Sequence, residues 1–180
     1  MRVEEDWELI VANPDANSTA PQVTTTLSPT GSSQTLLGAF DLNHRSRPDF
    51  QPGGLQVQIW NGDYPVTSQA SACECVMSSN GDTVRWTQAM ALDSGQLIVE
   101  VINGSSTTWG SFGSPGDLRA STATNFSDLN GYTPTFSVEN SGVGYAANRV
   151  QSITVKRVRR IMATGEVVED ATQRTVFPKT

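Results

Sequence analysis

Histidine, cysteine and charged residues are scarce in this chain. Its 180 residues include one histidine and two cysteines, and charged residues make up 17% of them. A single histidine leaves little capacity for general-base catalysis, and no GxSxG, HExxH, phosphate-loop or dinucleotide-binding motif is present. The net charge of -6 argues against nucleic acid as a partner, because phosphate binding requires clustered lysines and arginines.

Long apolar runs are missing as well. No stretch of the sequence is apolar over enough residues to span a membrane, so no membrane partner is expected. The first ten residues lack the apolar centre of a signal peptide and are acidic where such a peptide is basic. We therefore expect either a chain that is not exported by that route or a trimmed extracellular chain, and the compartment stays open.

The two cysteines form the motif Cys73-Glu74-Cys75. Two cysteines this close in an extended chain point the same way, and disulfide geometry is demanding, so we expect two free thiols. The pair supplies too few ligands for a structural zinc site. A metal or redox role is the less favoured interpretation.

Alternation of apolar and polar side chains is what the sequence has in abundance. It is clearest in residues 84–92 and 97–101, and Asp93-Ser94-Gly95 supplies a turn between these two segments. The opening segment 3–11 alternates in the same way and has an acidic outer side. Further strands are predicted at 21–28, 33–43, 54–61, 118–124, 135–139 and 149–159, with a bulge or a strong twist in the last of these and a final hairpin at 160–177.

The spacing of these segments predicts the fold class. Residues 69–79 are small and polar and are predicted to be irregular, and no window shows a sustained helical period. Many short strands without helices between them are typical of sandwiches and barrels. We predict an all-β chain that forms one antiparallel β-sandwich domain, jelly-roll-like, over residues 1–180.

Two of the four tryptophans are predicted to be accessible to a ligand. Trp60 lies on the polar side of its strand, and Trp109 lies in a loop of glycine, serine and threonine. An aromatic ring can cover the apolar face of a sugar while planar polar groups bind its hydroxyls. The alternative is that both rings simply cap the core, where Trp7 and Trp86 are assigned because they are in register with apolar neighbours.

The loop at residues 44–54 carries side chains that suit vicinal hydroxyl groups, namely His44, Arg45, Arg47 and Asp49. We expect a sugar site that combines Trp109 with this loop. The other basic cluster, formed by Lys156, Arg157, Arg159 and Arg160, is interpreted as the solvated end of a strand that Glu166, Glu169 and Asp170 balance.

Aspartates near turns are the remaining candidates for chemistry. Such residues usually bond to their own backbone, and no two of them suggest the paired acids of a glycosidase. Asn61-Gly62-Asp63 and Asn80-Gly81-Asp82 offer oxygen ligands for calcium, so Asp63 and Asp82 are weak calcium candidates. Ordinary turn chemistry is the favoured interpretation, and no other cofactor is expected.

The strand order, the loop tryptophans and the closing segment YAANRVQSITVKRV (145–158) resemble jelly-roll sandwiches of the carbohydrate-binding-module type. This resemblance of general style implies a non-catalytic module that binds sugars, often with structural calcium. The segments WGSFG and NSGVGYAANRVQS also look like an uncharacterised bacterial β-sandwich group.

These patterns favour a binding module, with a glycan as its expected partner. A structural subunit of a surface layer, filament or other assembly is the alternative. Its basis is a composition rich in threonine, serine and asparagine, together with strand-like termini through which copies could join their sheet edges. A glycan-active enzyme is the third and least favoured function.

Overall fold

The computed structural model describes residues 1–15, 17, 21–44, 54–144 and 149–178. In chain order its elements are β1 (Arg2–Val11), β2 (Val23–Leu27), β3 (Leu36–Leu42), β4 (Leu55–Asn61), β5 (Tyr64–Ala70), β6 (Thr83–Asp93), β7 (Gln96–Ser106), β8 (Gly110–Phe112), β9 (Leu118–Ala123), α1 (Pro134–Asn140), β10 (Gly142–Val143), β11 (Val150–Ile161), β12 (Val167–Asp170) and β13 (Arg174–Phe177).

The strands form two antiparallel sheets, and the prediction of an all-β sandwich is confirmed. The larger sheet has the order β12-β11-β1-β6-β7-β8, with β13 paired to β11 and β9 paired to β7. The smaller sheet has the order β10-β2-β3-β4-β5. Each sheet turns its apolar side chains toward the other, which is the arrangement that period-two alternation predicts.

Aromatic side chains join the two sheets at the centre of the core. Trp7 of β1 faces Trp86 of β6, and their stacked rings have centroids 6.0 Å apart. Phe40 of β3 meets Trp86 edge-on from the smaller sheet, with a centroid distance of 5.4 Å. The assignment of Trp7 and Trp86 to the core is therefore confirmed.

Polar side chains also lie between the sheets. Thr25 of β2 donates through Oγ1 to Oε1 of Gln88 on β6, at 2.6 Å, and both residues are buried. Glu5 of β1 is fully buried, and its carboxylate accepts hydrogen bonds from Tyr132 Oη at 2.8 Å and from Trp7 Nε1 at 3.2 Å. Hydrogen bonding of this kind is what allows polar groups to remain in an apolar core.

The turns and the bulge follow the sequence closely. Ser94 and Gly95 both have positive φ, as the tight turn between β6 and β7 requires. The pairing of β1 with β11 shifts between Asp6 and Trp7 and leaves Lys156 as an extra residue in β11. This shift confirms the predicted bulge in the segment 149–159.

The strand predicted at 135–139 is wrong, because these residues belong to helix α1. Two apolar side chains in five residues fit either structure, so alternation alone could not decide. The helix start is visible in the sequence: Thr133 is the N-cap, its side chain accepts a hydrogen bond from Thr135 N, and Pro134 follows it.

The basic cluster of β11 has different partners from those expected. Its main ion pairs are with the acidic outer side of β1, where Arg157 lies 2.6 Å from Asp6 and Arg159 lies 2.7 Å from Glu4. The register explains this choice, because Arg159 is opposite Glu4 and Arg157 is opposite Asp6 in the ladder. Of the carboxylates expected to balance the cluster, Glu169 pairs with Arg157 at 3.3 Å.

The expectation of two free thiols is also wrong, because Cys73 and Cys75 form a disulfide with Cα atoms 5.2 Å apart. Residues 71–79 are irregular, as predicted, whereas Gln69 and Ala70, also predicted to be irregular, end strand β5. Other segments hold the irregular residues by hydrogen bonds to their backbone. Gly54 N donates to Cys75 O at 3.0 Å, and Ala72 N donates to Asp117 Oδ1 at 3.1 Å. The side chains can converge because the chain is not extended here.

The disulfide gives a direct prediction for mass spectrometry. Reduction should raise the intact mass by two hydrogen atoms, and a thiol-alkylating reagent should label neither Cys73 nor Cys75 before reductant is added. The double variant Cys73→Ser with Cys75→Ser is the control, and its mass should not respond to reductant. Labelling of both cysteines in the unreduced, unfolded protein would contradict the bond.

Candidate functional site

An open groove of about 460 Å³ crosses the outer face of the smaller sheet. We call it the sheet groove. It is formed largely by outward-facing residues of β2, β3 and β4, and its lining includes Thr24, Thr26, Ala39, Asp41, Gln58 and Trp60. Of these residues, Trp60 is the one that the sequence predicts to be part of a site, because isolated threonine, alanine and glutamine carry no site signal.

The shape of the sheet groove follows from the cross-strand rows. Thr26, Ala39 and Gln58 lie side by side in one row, and the small side chain of Ala39 leaves a depression between longer neighbours. Leu37 and Trp60 form the next row and close one end. The depression is thus bounded by an aromatic ring.

The indole of Trp60 is held in a fixed orientation. Its Nε1 donates to Gln58 Oε1 at 3.0 Å, and Gln58 Nε2 donates to Gln56 Oε1 at 3.0 Å. This chain of hydrogen bonds runs along the outer face of β4. It fixes the ring before any ligand arrives, which lowers the entropic cost of binding.

The described part of the groove lining carries carboxylates and no lysine or arginine. Asp41 is buried in the groove floor and accepts a hydrogen bond from Thr24 Oγ1 at 2.6 Å. Asp63, in the turn between β4 and β5, is exposed at the rim. Hydroxyls, amides and carboxylates around an aromatic ring are suited to a polar, hydroxyl-rich ligand without negative charge.

Trp109 is in a different environment. Its Nε1 donates to Asp82 Oδ2 at 3.0 Å, and its ring stacks on Phe112 with a centroid distance of 5.4 Å. One edge and one face of this indole therefore already have protein partners. The ring is partly buried against the core, as the capping interpretation expected.

Trp109 and Trp60 lie toward opposite ends of the sandwich. Trp109 follows Ser106 at the end of β7, whereas Asn61, next to Trp60, lines a cleft with Ala123, which pairs with Gln96 at the start of β7. Strand β7 spans roughly 30 Å at the usual rise per residue. The two tryptophans therefore do not share one site.

The carboxylate of Asp82 organises the loop before Trp109. It accepts hydrogen bonds from Ser106 Oγ at 2.8 Å, from Thr107 N at 3.0 Å and from Thr108 Oγ1 at 2.8 Å, in addition to the indole. A serine- and threonine-rich loop beside a turn aspartate is the sequence signal for this arrangement. The geometry is that of a loop anchor.

The calcium candidates are not brought together with other acidic ligands. Asp82 is buried with hydrogen-bond donors on both oxygens, and Asp63 is exposed beside the sheet groove. In the described residues, no group of three or more histidine, cysteine, aspartate or glutamate side chains could hold a metal ion. Calcium binding at Asp63 or Asp82 stays a prediction.

The loop at 44–54 is described only at its two ends. His44 is half-buried, and Asn43 beside it accepts a hydrogen bond from Met77 N at 2.7 Å. Arg45, Arg47 and Asp49 lie outside the described residues. The expected site that combines Trp109 with this loop therefore stays a prediction.

The fold and the sheet groove define this protein as an antiparallel β-sandwich with an open polar groove on one outer face. The sequence matches no protein-family model, and no curated protein is significantly similar to it. In the part of the chain that the structure describes, no helix is long and apolar enough to cross a membrane.

Proposed function

We propose that this protein is a non-catalytic module that binds carbohydrate in the sheet groove. The observation that carries the proposal is Trp60, an indole fixed by Gln58 at one end of an open groove lined with hydroxyl, amide and carboxylate groups. The groove is open along the sheet surface, so an internal segment of a linear polysaccharide could bind in it.

The physical basis is the balance of forces in sugar binding. Each hydroxyl that binds protein must give up water, so its net contribution is small. Stacking on an aromatic ring contributes about 1–3 kcal/mol per base in nucleic-acid complexes, and a similar contact with the apolar face of a sugar would provide much of the affinity. Trp60 is oriented in advance by Gln58, so little freedom is lost when the contact forms.

The test is titration calorimetry with a panel of soluble polysaccharides and oligosaccharides. Trp60→Ala should weaken binding by about tenfold or more, which corresponds to loss of one stacking contact. Trp109→Phe is the matched control, because it retains a ring against Phe112 while removing the hydrogen bond to Asp82. We expect this control to bind like the wild type.

Three outcomes would contradict the proposal. Equal affinity of Trp60→Ala and wild type would place the site elsewhere, and weaker binding by Trp109→Phe would favour the site expected from the sequence. Failure of the wild type to bind any glycan would refute carbohydrate binding by this protein.

Exposed edge strands favour a second function, that of a structural subunit. Strand β5 lies at the edge of the smaller sheet, where Tyr64 is 78% exposed and Val66 is 47% exposed. Strand β12 lies at the edge of the larger sheet and exposes Val167 and Val168. Such edges can pair with another chain. Concentration-dependent oligomers of a protein that binds no glycan would support this function instead.

A further inference from the structure

A second concave region lies on the opposite side of the sandwich, on the outer face of the larger sheet. It has a volume of about 570 Å³, and we call it the charged hollow. Its charged lining consists of Asp6, Glu8, Arg85, Lys156, Arg157 and Arg159. Because it belongs to the other sheet, what binds there does not depend on the function proposed for the sheet groove.

Two irregularities in strand pairing produce the charged hollow. The pairing of β1 with β11 shifts between Asp6 and Trp7, and the pairing of β6 with β7 shifts between Arg85 and Thr87. The first shift makes Lys156 an extra residue in β11, and the second coincides with Asn103 of β7, whose φ is 55°. Bulges bend a strand and redirect its side chains, and they are frequent beside functional sites.

The two bulges lie on either side of the same row of residues. Trp7 and Trp86 pair directly, and both shifts occur next to them, one on each flank. The row is therefore bordered by Lys156 on one side and by Asn103 on the other, and all four residues line the hollow. Two independent bulges at one level of a sheet give it a concavity that a regular ladder would lack.

The charges of the hollow are unbalanced. Among the described residues, its lining has four cations and two carboxylates, in a chain whose net charge is -6. Arg85 and Lys156 share the single carboxylate of Glu8, at 2.7 Å and 3.4 Å. Arg157 and Arg159 both approach Asp6 and have further partners in Glu169 and Glu4. Positive charge is therefore in excess between Arg85 and Lys156.

We propose that the charged hollow binds the sulfate or phosphate group of a small ligand. The anion takes a position between Arg85 and Lys156, where it competes with Glu8 for the same two donors. A guanidinium offers paired N–H groups to two oxygens of a tetrahedral anion, and an ammonium adds a compact charge. The exposed Ser105 side chain, which also lines the hollow, supplies a hydroxyl group for the rest of the ligand, whereas the buried Thr87 hydroxyl donates to Asp6 Oδ1 at 2.8 Å.

The experiment is an NMR titration of the whole protein with sodium sulfate and with sodium phosphate. Sodium chloride at the same ionic strength removes the contribution of screening. Amide signals of Thr87, Asn103 and Ser105 should move and saturate with one of the oxyanions and not with chloride. Glucose 6-sulfate and glucose 6-phosphate then distinguish a sulfated from a phosphorylated ligand. Shifts that grow linearly without saturation would overturn the proposal.

Three variants and a control sharpen the test. Arg85→Gln and Lys156→Gln should each weaken oxyanion binding by about tenfold, the effect of losing one charged hydrogen bond. Glu8→Gln should strengthen binding, because it frees both donors. Arg119→Gln, which removes a cation that pairs with Glu100 on the same sheet, should change nothing.

The increase with Glu8→Gln is the decisive result, because a purely structural role of these ion pairs would not produce it. Equal loss of affinity in Arg119→Gln and Lys156→Gln would mean that oxyanion binding depends only on general surface charge, and it would refute the site. Should Glu8→Gln fail to fold, Arg85→Gln keeps the test sharp, since the Arg85 side chain is 58% exposed and its loss leaves the core untouched.

Discussion

Trp86→Ala is expected to lower the free energy of unfolding by about 3–5 kcal/mol, the range for deleting a large buried aromatic side chain. Trp86 is 2% exposed, stacks on Trp7 within the larger sheet and touches Phe40 of the smaller sheet. Its removal therefore leaves a cavity between the sheets and removes one aromatic contact with each sheet. Equilibrium denaturation in urea, followed by tryptophan fluorescence and circular dichroism, measures the loss.

Two matched variants separate the effect of lost side-chain volume in the core from other effects of the substitution. Trp86→Phe should cost clearly less than Trp86→Ala, because it keeps a ring in the core. It also loses no hydrogen bond, since Nε1 of Trp86 has no hydrogen-bond partner among the described residues. Trp60→Ala should cost less as well, because Trp60 lies on the outer face of β4. If Trp60→Ala were the more damaging change, the packing described for both strands would be wrong.

The sequence was most informative where one face of a strand is buried. Alternation in β1, β4, β6 and β7 predicts correctly which side chains face the core, because a one-residue error in register would expose the whole apolar set. The same reasoning predicts that Trp60 faces outward. The fold class and the outward position of Trp60 therefore follow from the local sequence pattern.

The wrong predictions of local structure lie in segments without a buried face. Strand β5 has a largely exposed sequence, so it shows no alternation and was not predicted. Helix α1 has few apolar residues, and its start depends on the cap Thr133. The cysteine pair was misassigned because contacts with distant segments, such as that from Gly54 to Cys75, determine the local chain path.

The candidate sites needed tertiary structure for a different reason. Ala39 and Gln58 become neighbours of Trp60 in one groove only through strand pairing, and nothing in their own sequence neighbourhoods marks them. Trp109 is flanked in sequence by glycine, serine and threonine, a composition that predicts an exposed ring. Its indole instead joins Phe112 and the carboxylate of Asp82, whose position depends on the turn before β6.

Glu5 leads to the second large effect, a dependence of stability on pH. Burial between the sheets raises the pKa of the Glu5 carboxyl from 4.5 to about 7, although hydrogen bonds from Tyr132 and Trp7 and the charge of Arg174 act in the opposite direction. Burial likewise raises the pKa of Tyr132, so its hydroxyl stays a donor. Glu5 is thus protonated more readily in the folded chain than in the unfolded one.

The direction of the effect follows from proton linkage. Between about pH 4.5 and pH 7 the folded protein holds a proton on Glu5 that the unfolded chain has released, so raising the pH favours unfolding. The stabilisation is fully present below the unfolded pKa and is lost as the pH rises through the folded pKa. A difference of this size in pKa corresponds to about 3 kcal/mol.

Glu5→Gln is expected to remove this part of the pH dependence. Glutamine keeps an oxygen that can accept a hydrogen bond from Tyr132, and it carries no titrating group. The free energy of unfolding of the variant should therefore not decline with rising pH in the way that Glu5 causes in the wild type. Relative to wild type, Glu5→Gln should gain about 3 kcal/mol of stability between pH 4.5 and pH 8. Urea denaturation at half-unit pH intervals measures this difference.

Glu166→Gln, a substitution at an exposed position, should follow the wild-type profile. Parallel profiles of Glu5→Gln and wild type would mean that Glu5 ionises with its ordinary pKa in the folded protein.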